Sequence, residues 1–124
     1  MYLVDLPGYG YARGGPESVE AFERLTRDYF DQAGSNRRIV GVLQLIDARH
    51  PDLPQDAAAF EWLIRTQLPL AIVATKIDKL NRADQSKTVK ALEAKYAVRV
   101  LPESATNGAG LDEIGKVLRE WAHA

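Results

Sequence analysis

Apolar positions along the chain follow two alternating rhythms. Short continuous runs at Tyr2–Leu6, Arg38–Asp47, Leu70–Thr75 and Val98–Leu101 read as strands. The second run is rich in Ile, Val and Leu, the composition of a strand covered on both faces. Between the runs, apolar residues recur at helical spacing. Glu17–Gln32 reads as a helix, with Pro16 favourable at its start and Gly34 as a stop. Its apolar stripe is Val19, Phe22, Leu25 and Tyr29. Asp56–Gln67 carries Phe60, Leu63 and Ile64, and Asp84–Tyr96 carries Val89, Leu92 and Tyr96. Leu111–His123 sets Leu111, Ile114, Leu118 and Trp121 on one face. Trp62 and Trp121 fall at core spacing.

Strands alternating with helices predict an α/β fold with a parallel sheet. Right-handed crossovers collect the strand C-termini along one edge, where ligands of such sheets bind. Asp5, Asp47, Thr75–Asp78 and Ser104–Ala105 are all expected at that edge.

Composition narrows the functions further. The chain has 124 residues, the size of one domain, and 46% are hydrophobic, enough for a core. A net charge of −1 does not suggest a dedicated nucleic-acid binder. There are no cysteines, which excludes disulfides, thiolate metal sites and cysteine nucleophiles. No apolar run is long enough for a membrane span, and the first residues lack a signal peptide's pattern. The expected location is the cytoplasm, with no membrane partner.

Three short segments carry candidate chemistry. In Asp5-Leu6-Pro7-Gly8, the Asp suits a magnesium ion held through water, and the Gly admits a phosphate close to backbone N–H. A plain strand-to-loop turn is the competing reading. In Thr75-Lys76-Ile77-Asp78, the carboxylate can accept from N1–H and the exocyclic amine of guanine together, a pattern adenine lacks. The Lys stem can lie over the base while its ammonium stays wet. A charged, solvated turn running on into Lys79 is the alternative. In Ser104-Ala105-Thr106, backbone N–H groups can meet guanine O6; an ordinary loop reads equally well. His50 fits ordering of the loop before Pro51, and His123 fits solvent exposure. The three segments occur in order, about 70 and then about 26 residues apart, each after a strand.

That order is the signature of GTP-binding domains, and the chain resembles one family in particular. Asp5-Leu6-Pro7-Gly8-Tyr9-Gly10-Tyr11-Ala12, Asp47-Ala48-Arg49-His50-Pro51 and Thr75-Lys76-Ile77-Asp78-Lys79 resemble motifs of the EngB-type (YihA/YsxC) ribosome-biogenesis GTPases, of the TRAFAC class. The resemblance runs along essentially the whole chain. It implies a three-layer P-loop-NTPase-like fold with about four strands and four helices here, as the C-terminal portion of a G domain over residues 1–124. It implies GTP or GDP binding through Asp5, Leu6, Pro7, Gly8, Thr75, Lys76, Asp78, Ser104 and Ala105, with magnesium at Asp5. It also implies a role in assembly of the large ribosomal subunit, through the subunit or its rRNA, and in cell division. Tyr9 falls where Ras-like proteins carry a water-orienting Gln, which implies slow hydrolysis.

The sequence departs from the family's pattern at one point. No Gly-x-x-x-x-Gly-Lys-Ser/Thr occurs in it, and the first switch segment is likewise missing. The chain is therefore expected to bind nucleotide weakly alone. A non-catalytic ribosome-binding module, with Tyr9–Arg13 and Arg37-Arg38 as contacts, is the alternative function. In the family's fold a strand lies between the two at Tyr2–Leu6 and Arg38–Asp47. Without it, those two strands are expected to pair directly, giving four in sequential order. The first three helices then share one face. The other face keeps only Leu111–His123, leaving an apolar patch that favours self-association.

Overall fold

The computed structural model describes residues 39–123 together with 24, 27 and 28. Arg24, Arg27 and Asp28 are helical and exposed, as positions off the expected stripe of that helix should be. The rest of that helix, the strand expected at Tyr2–Leu6, and Asp5, Leu6, Pro7 and Gly8 lie outside the described residues. So does the expected pairing of the first two strands.

Three parallel strands, β1 (Val42–Asp47), β2 (Leu70–Thr75) and β3 (Val100–Pro102), form one sheet in sequential order. Three helices follow in alternation: α1 (Pro54–Ile64), α2 (Arg82–Tyr96) and α3 (Leu111–Ala122). The described residues thus form the expected α/β arrangement. Two compact units are distinguishable. One contains α1 (Leu53–Leu68); the other contains the sheet, α2 and α3 (Gly41–Asp52 and Pro69–Ala124).

In the sheet unit, β2 is buried on both sides. Ala71 and Val73 on one face and Ile72 and Ala74 on the other are each at most 2% exposed. Burying a side chain such as Ile72 contributes about 1.5–3 kcal/mol. On one face Ala71, Leu101 and Val117 form a core cluster, with Leu43, Ile114 and Trp121 packed against it. α3 thus covers that face at the start of β1. α2 packs beside β3 and buries Leu92 and Tyr96. Leu45, on the same face as Leu43, is 60% exposed.

Several element boundaries differ from the sequence expectation. β1 starts at Val42, not Arg38. Its first bond, Val42 N–H to Pro69 O at 2.8 Å, marks where the neighbouring strand begins, and Gly41 is pressed against the Trp121 ring. Among the described residues, none before it has a β2 partner. β3 runs one residue further, to Pro102, and begins at Val100, after Ala97 has left α2 in the left-handed region. A proline, which donates no hydrogen bond, is tolerated as the last strand residue.

α1 begins at Pro54, where proline fits the first turn. It ends at Ile64, because Thr66 turns its N–H and hydroxyl onto Leu63 O and Gln67 adopts a φ of 60°. Its buried side is Asp56, Ala59, Trp62 and Leu63. Ile64 is exposed, against expectation, because it sits about 100° around the helix from Leu63. α2 starts two residues early, at Arg82, because the Asn81 side chain accepts from Asp84 N–H at 2.8 Å. In α3 the core-facing stripe is Ile114, Val117 and Trp121, of which Val117 is buried and the other two half-buried. Leu111 is exposed, since the first turn extends beyond the sheet core. Trp62 is buried and Trp121 half-buried, in keeping with core packing.

Candidate functional site at the strand C-termini

The parallel register sets Asp47 beside Thr75, and Ala74 beside Pro102. The three loops that follow the strands are thereby forced together. Backbone bonds then stitch them. Ala48 N–H donates to Thr75 O at 2.9 Å, and the Thr75 hydroxyl donates to Ile46 O. On the other side, Glu103 N–H donates to Ala74 O, and Ile77 N–H donates to Glu103 O. Ile77 is 4% exposed and anchors a single 3-10 turn, Ile77–Lys79. Lys76 enters that turn with φ 58° and ψ 35°, a conformation uncommon for a residue with a side chain. Such backbone departures cluster at binding sites.

The turn projects Asp78 toward the third loop. There Ser104, fully buried, donates its hydroxyl to Asp78 Oδ1 at 2.7 Å. The same hydroxyl accepts from Asn107 N–H at 3.3 Å. Ser104 N–H donates to Ala109 O, and its carbonyl accepts from Gly108 N–H. Asn107 Oδ1 takes Ala109 N–H. Every polar group of Ser104 is thus bonded. The loop closes on Gly110 at φ 85°, where a Cβ would collide with Pro102 O.

The first loop is held by charge. Asp47 Oδ1 accepts from the backbone N–H and Nε of Arg49, at 2.9 and 3.1 Å. Asp47 Oδ2 accepts from the second guanidinium arm at 2.8 Å and lies 3.4 Å from Lys76 Nζ. The Arg49 side-chain bonds hold the Asp47 carboxyl well below its ordinary 3.8; partial burial opposes them and is outweighed.

An open cleft of about 430 Å³ lies between these loops. Thr75, Lys76, Asp78, Ala105 and Thr106 line it, with Arg49, Lys79 and Glu103 at its sides. Thr75, Lys76, Asp78 and Ala105, four of the nine expected site residues, therefore meet at one cleft, with Ser104 bonded behind Asp78. Asp5, Leu6, Pro7 and Gly8 lie outside the described residues. His50 is exposed and closes its turn through N–H to Asp47 O; His123 is exposed. The sequence reading gave Asp47 and Arg49 no role of their own. The available signal was an acidic strand end followed two residues later by Arg.

Among the described residues no group of three or more His, Asp or Glu is placed to hold a metal ion. None of their helices is long and apolar enough to cross a membrane.

No protein-family model matches the chain. Among curated proteins, it is 34% identical over 124 residues to "Probable GTP-binding protein EngB" of Limosilactobacillus reuteri (strain DSM 20016), covering 97% of this chain and 62% of that protein. The protein of the same name from Syntrophomonas wolfei is 35% identical, with 96% and 61% covered. That from Chlorobaculum parvum is 39% identical, with 92% and 59% covered. The chain thus spans about three fifths of these relatives' length. The crystal structure of a probable GTP-binding protein engB superposes with a TM-score of 0.71 at 20% identity, covering 94% of this chain and 74% of that one. Translation elongation factor SelB from Methanococcus maripaludis gives 0.70 at 20% identity, covering 98% and 25%. The likeness in structure concerns the fold. The likeness in sequence runs through all three loops of the cleft. Over the span that it shares with them, the chain is similar in sequence to the EngB proteins.

Proposed function

We propose that the cleft reads the guanine base of GTP or GDP. Asp78 accepts from guanine N1–H and the exocyclic amine. The Lys76 stem lies over the base, and the Ala105 backbone N–H faces O6, because Ser104 N–H is already committed to Ala109 O. The observation that supports this best is the 2.7 Å bond from the buried Ser104 hydroxyl to Asp78 Oδ1. A carboxylate oxygen has two acceptor sites, so Oδ1 keeps one for a ligand while Ser104 fixes the plane of the group. Adenine offers Asp78 no matching pair of donors.

The family resemblance extends the proposal. In the whole protein Asp5 would hold magnesium through water and Gly8 would meet the terminal phosphate. The cellular role would be assembly of the large ribosomal subunit in the cytoplasm, with an effect on division. Self-association would use the surface around Leu45. The 124 residues contain no Gly-x-x-x-x-Gly-Lys-Ser/Thr loop to carry phosphate charge. Base contacts alone contribute about 0.5–1.5 kcal/mol each, so this chain should bind GDP no tighter than about millimolar.

Ligand-observed NMR at millimolar nucleotide tests the reading. The chain should favour GDP over ADP, and Asp78→Asn should lose GDP and gain relative preference for xanthosine diphosphate. Equal signals for GDP and ADP would sink it. Submicromolar GDP binding would overturn the expected weakness.

A further inference from the structure

Asp47 and Arg49 take no part in reading the base, yet they carry the densest set of charged contacts at the cleft. Asp47 accepts three hydrogen bonds from Arg49, one from the backbone and two from the guanidinium. Its side chain is 16% exposed, and its Oδ2 still faces Lys76 Nζ at 3.4 Å. Arg49 thus uses Oδ1 twice and Oδ2 once. Rotation of the carboxylate would break the bidentate pair, so its free side stays aimed at Lys76.

Lys76 needs such an anchor. It lines the cleft, its side chain is 47% exposed, and its stem has four rotatable carbons. Confining so flexible a stem when a ligand arrives weakens binding; confining it beforehand removes part of that cost. The backbone supports the same end. The left-handed Lys76 starts the stem beside Asp47, which is the register partner of Thr75.

We propose that Asp47 is a positioning residue for nucleotide recognition, holding the Lys76 ammonium so that its stem lies over the base, with Arg49 locking the Asp47 carboxylate. The inference rests on the guanine reading above. It assigns the Asp47-Ala48-Arg49 segment to specificity at a distance: Asp47 acts on the ligand through Lys76.

The test uses the 124-residue chain labelled in its lysine side chains. Lys76 relaxation is measured without nucleotide, and GDP and ADP are titrated by ligand-observed NMR. Asp47→Asn should free the Lys76 side chain and weaken GDP binding about threefold to fivefold, the range of a partly exposed ion pair. In a Lys76→Met background, Asp47→Asn should cost no further GDP affinity. Arg49→Met should shift both readouts the same way by less, and it carries the test if Asp47→Asn fails to fold. Unchanged Lys76 relaxation in both variants overturns the proposal. So does a GDP loss of equal size with and without Lys76. A wild-type chain that does not distinguish GDP from ADP overturns the guanine reading instead, and Lys76 relaxation then decides separately whether Asp47 pins the lysine.

Discussion

The two sides of the cleft are built by different physics. The Ser104 side is steric, a buried hydroxyl holding a single carboxylate. A fully buried hydroxyl, three backbone bonds and a glycine against Pro102 O leave the loop one conformation. The Asp47 side is ionic. A carboxylate is shared by a guanidinium and an ammonium, both of which reach solvent. The first arrangement suits a group that must not move, the carboxylate proposed to read the base. The second suits a side chain that settles over a ligand. Solution conditions should therefore act on one side far more than on the other.

The largest expected effect tests the steric side. Gly110→Ala puts a Cβ into Pro102 O at a backbone angle that favours glycine. Strain and overpacking together should destabilise the chain by about 2–4 kcal/mol. Urea denaturation reads this directly. A variant as stable as the wild type would mean that the loop has room the structure does not show.

Ser104→Ala comes next. It removes the donor to Asp78 and the acceptor of Asn107 N–H from a site without solvent. The expected loss is about 1–3 kcal/mol. The preference for GDP over ADP should fall with it, although Asp78 itself is intact. Retained preference would show that Asp78 needs no help from Ser104.

The smallest effect is expected on the ionic side, and it depends on conditions. Asp47 is held below its ordinary 3.8, so it protonates more readily in the unfolded chain than in the folded one. Its contribution is present above that ordinary value and is lost as pH falls below it. The stability difference between wild type and Asp47→Asn should therefore shrink on acidification from about pH 5 to about pH 2. At about 1 M salt, where screening acts within about 3 Å, the difference should also shrink, while that of Ser104→Ala should not. Equal salt responses would erase the contrast between the two sides.

Much of this arrangement was legible before the fold. Leu70–Thr75 has the bounds its apolar run suggests, Thr75 ends that strand, and Asp78 and Ser104 follow strands as their spacing requires. Boundaries were less legible where a partner decides them. Nothing local marks Val42 rather than Arg38 as the start of β1; the end of β2's reach does. Ile64 and Leu111 carry the right residue type at the right spacing, yet both are exposed. Helical periodicity gives the direction of a face but not how far along the helix the core extends.

What the sequence determined by itself is the alternation of strand and helix, and with it the parallel order that gathers three loops at one edge. That follows from local pattern, since apolar rhythm and chain handedness need no knowledge of distant residues. Only the tertiary structure decided that Ser104 donates to Asp78 across 26 positions, and that Asp47 faces Lys76 as well as Arg49. Hydrogen bonds and ion pairs act over about 3–4 Å. Register between strands sets distances on that scale, and register is a property of the packed sheet.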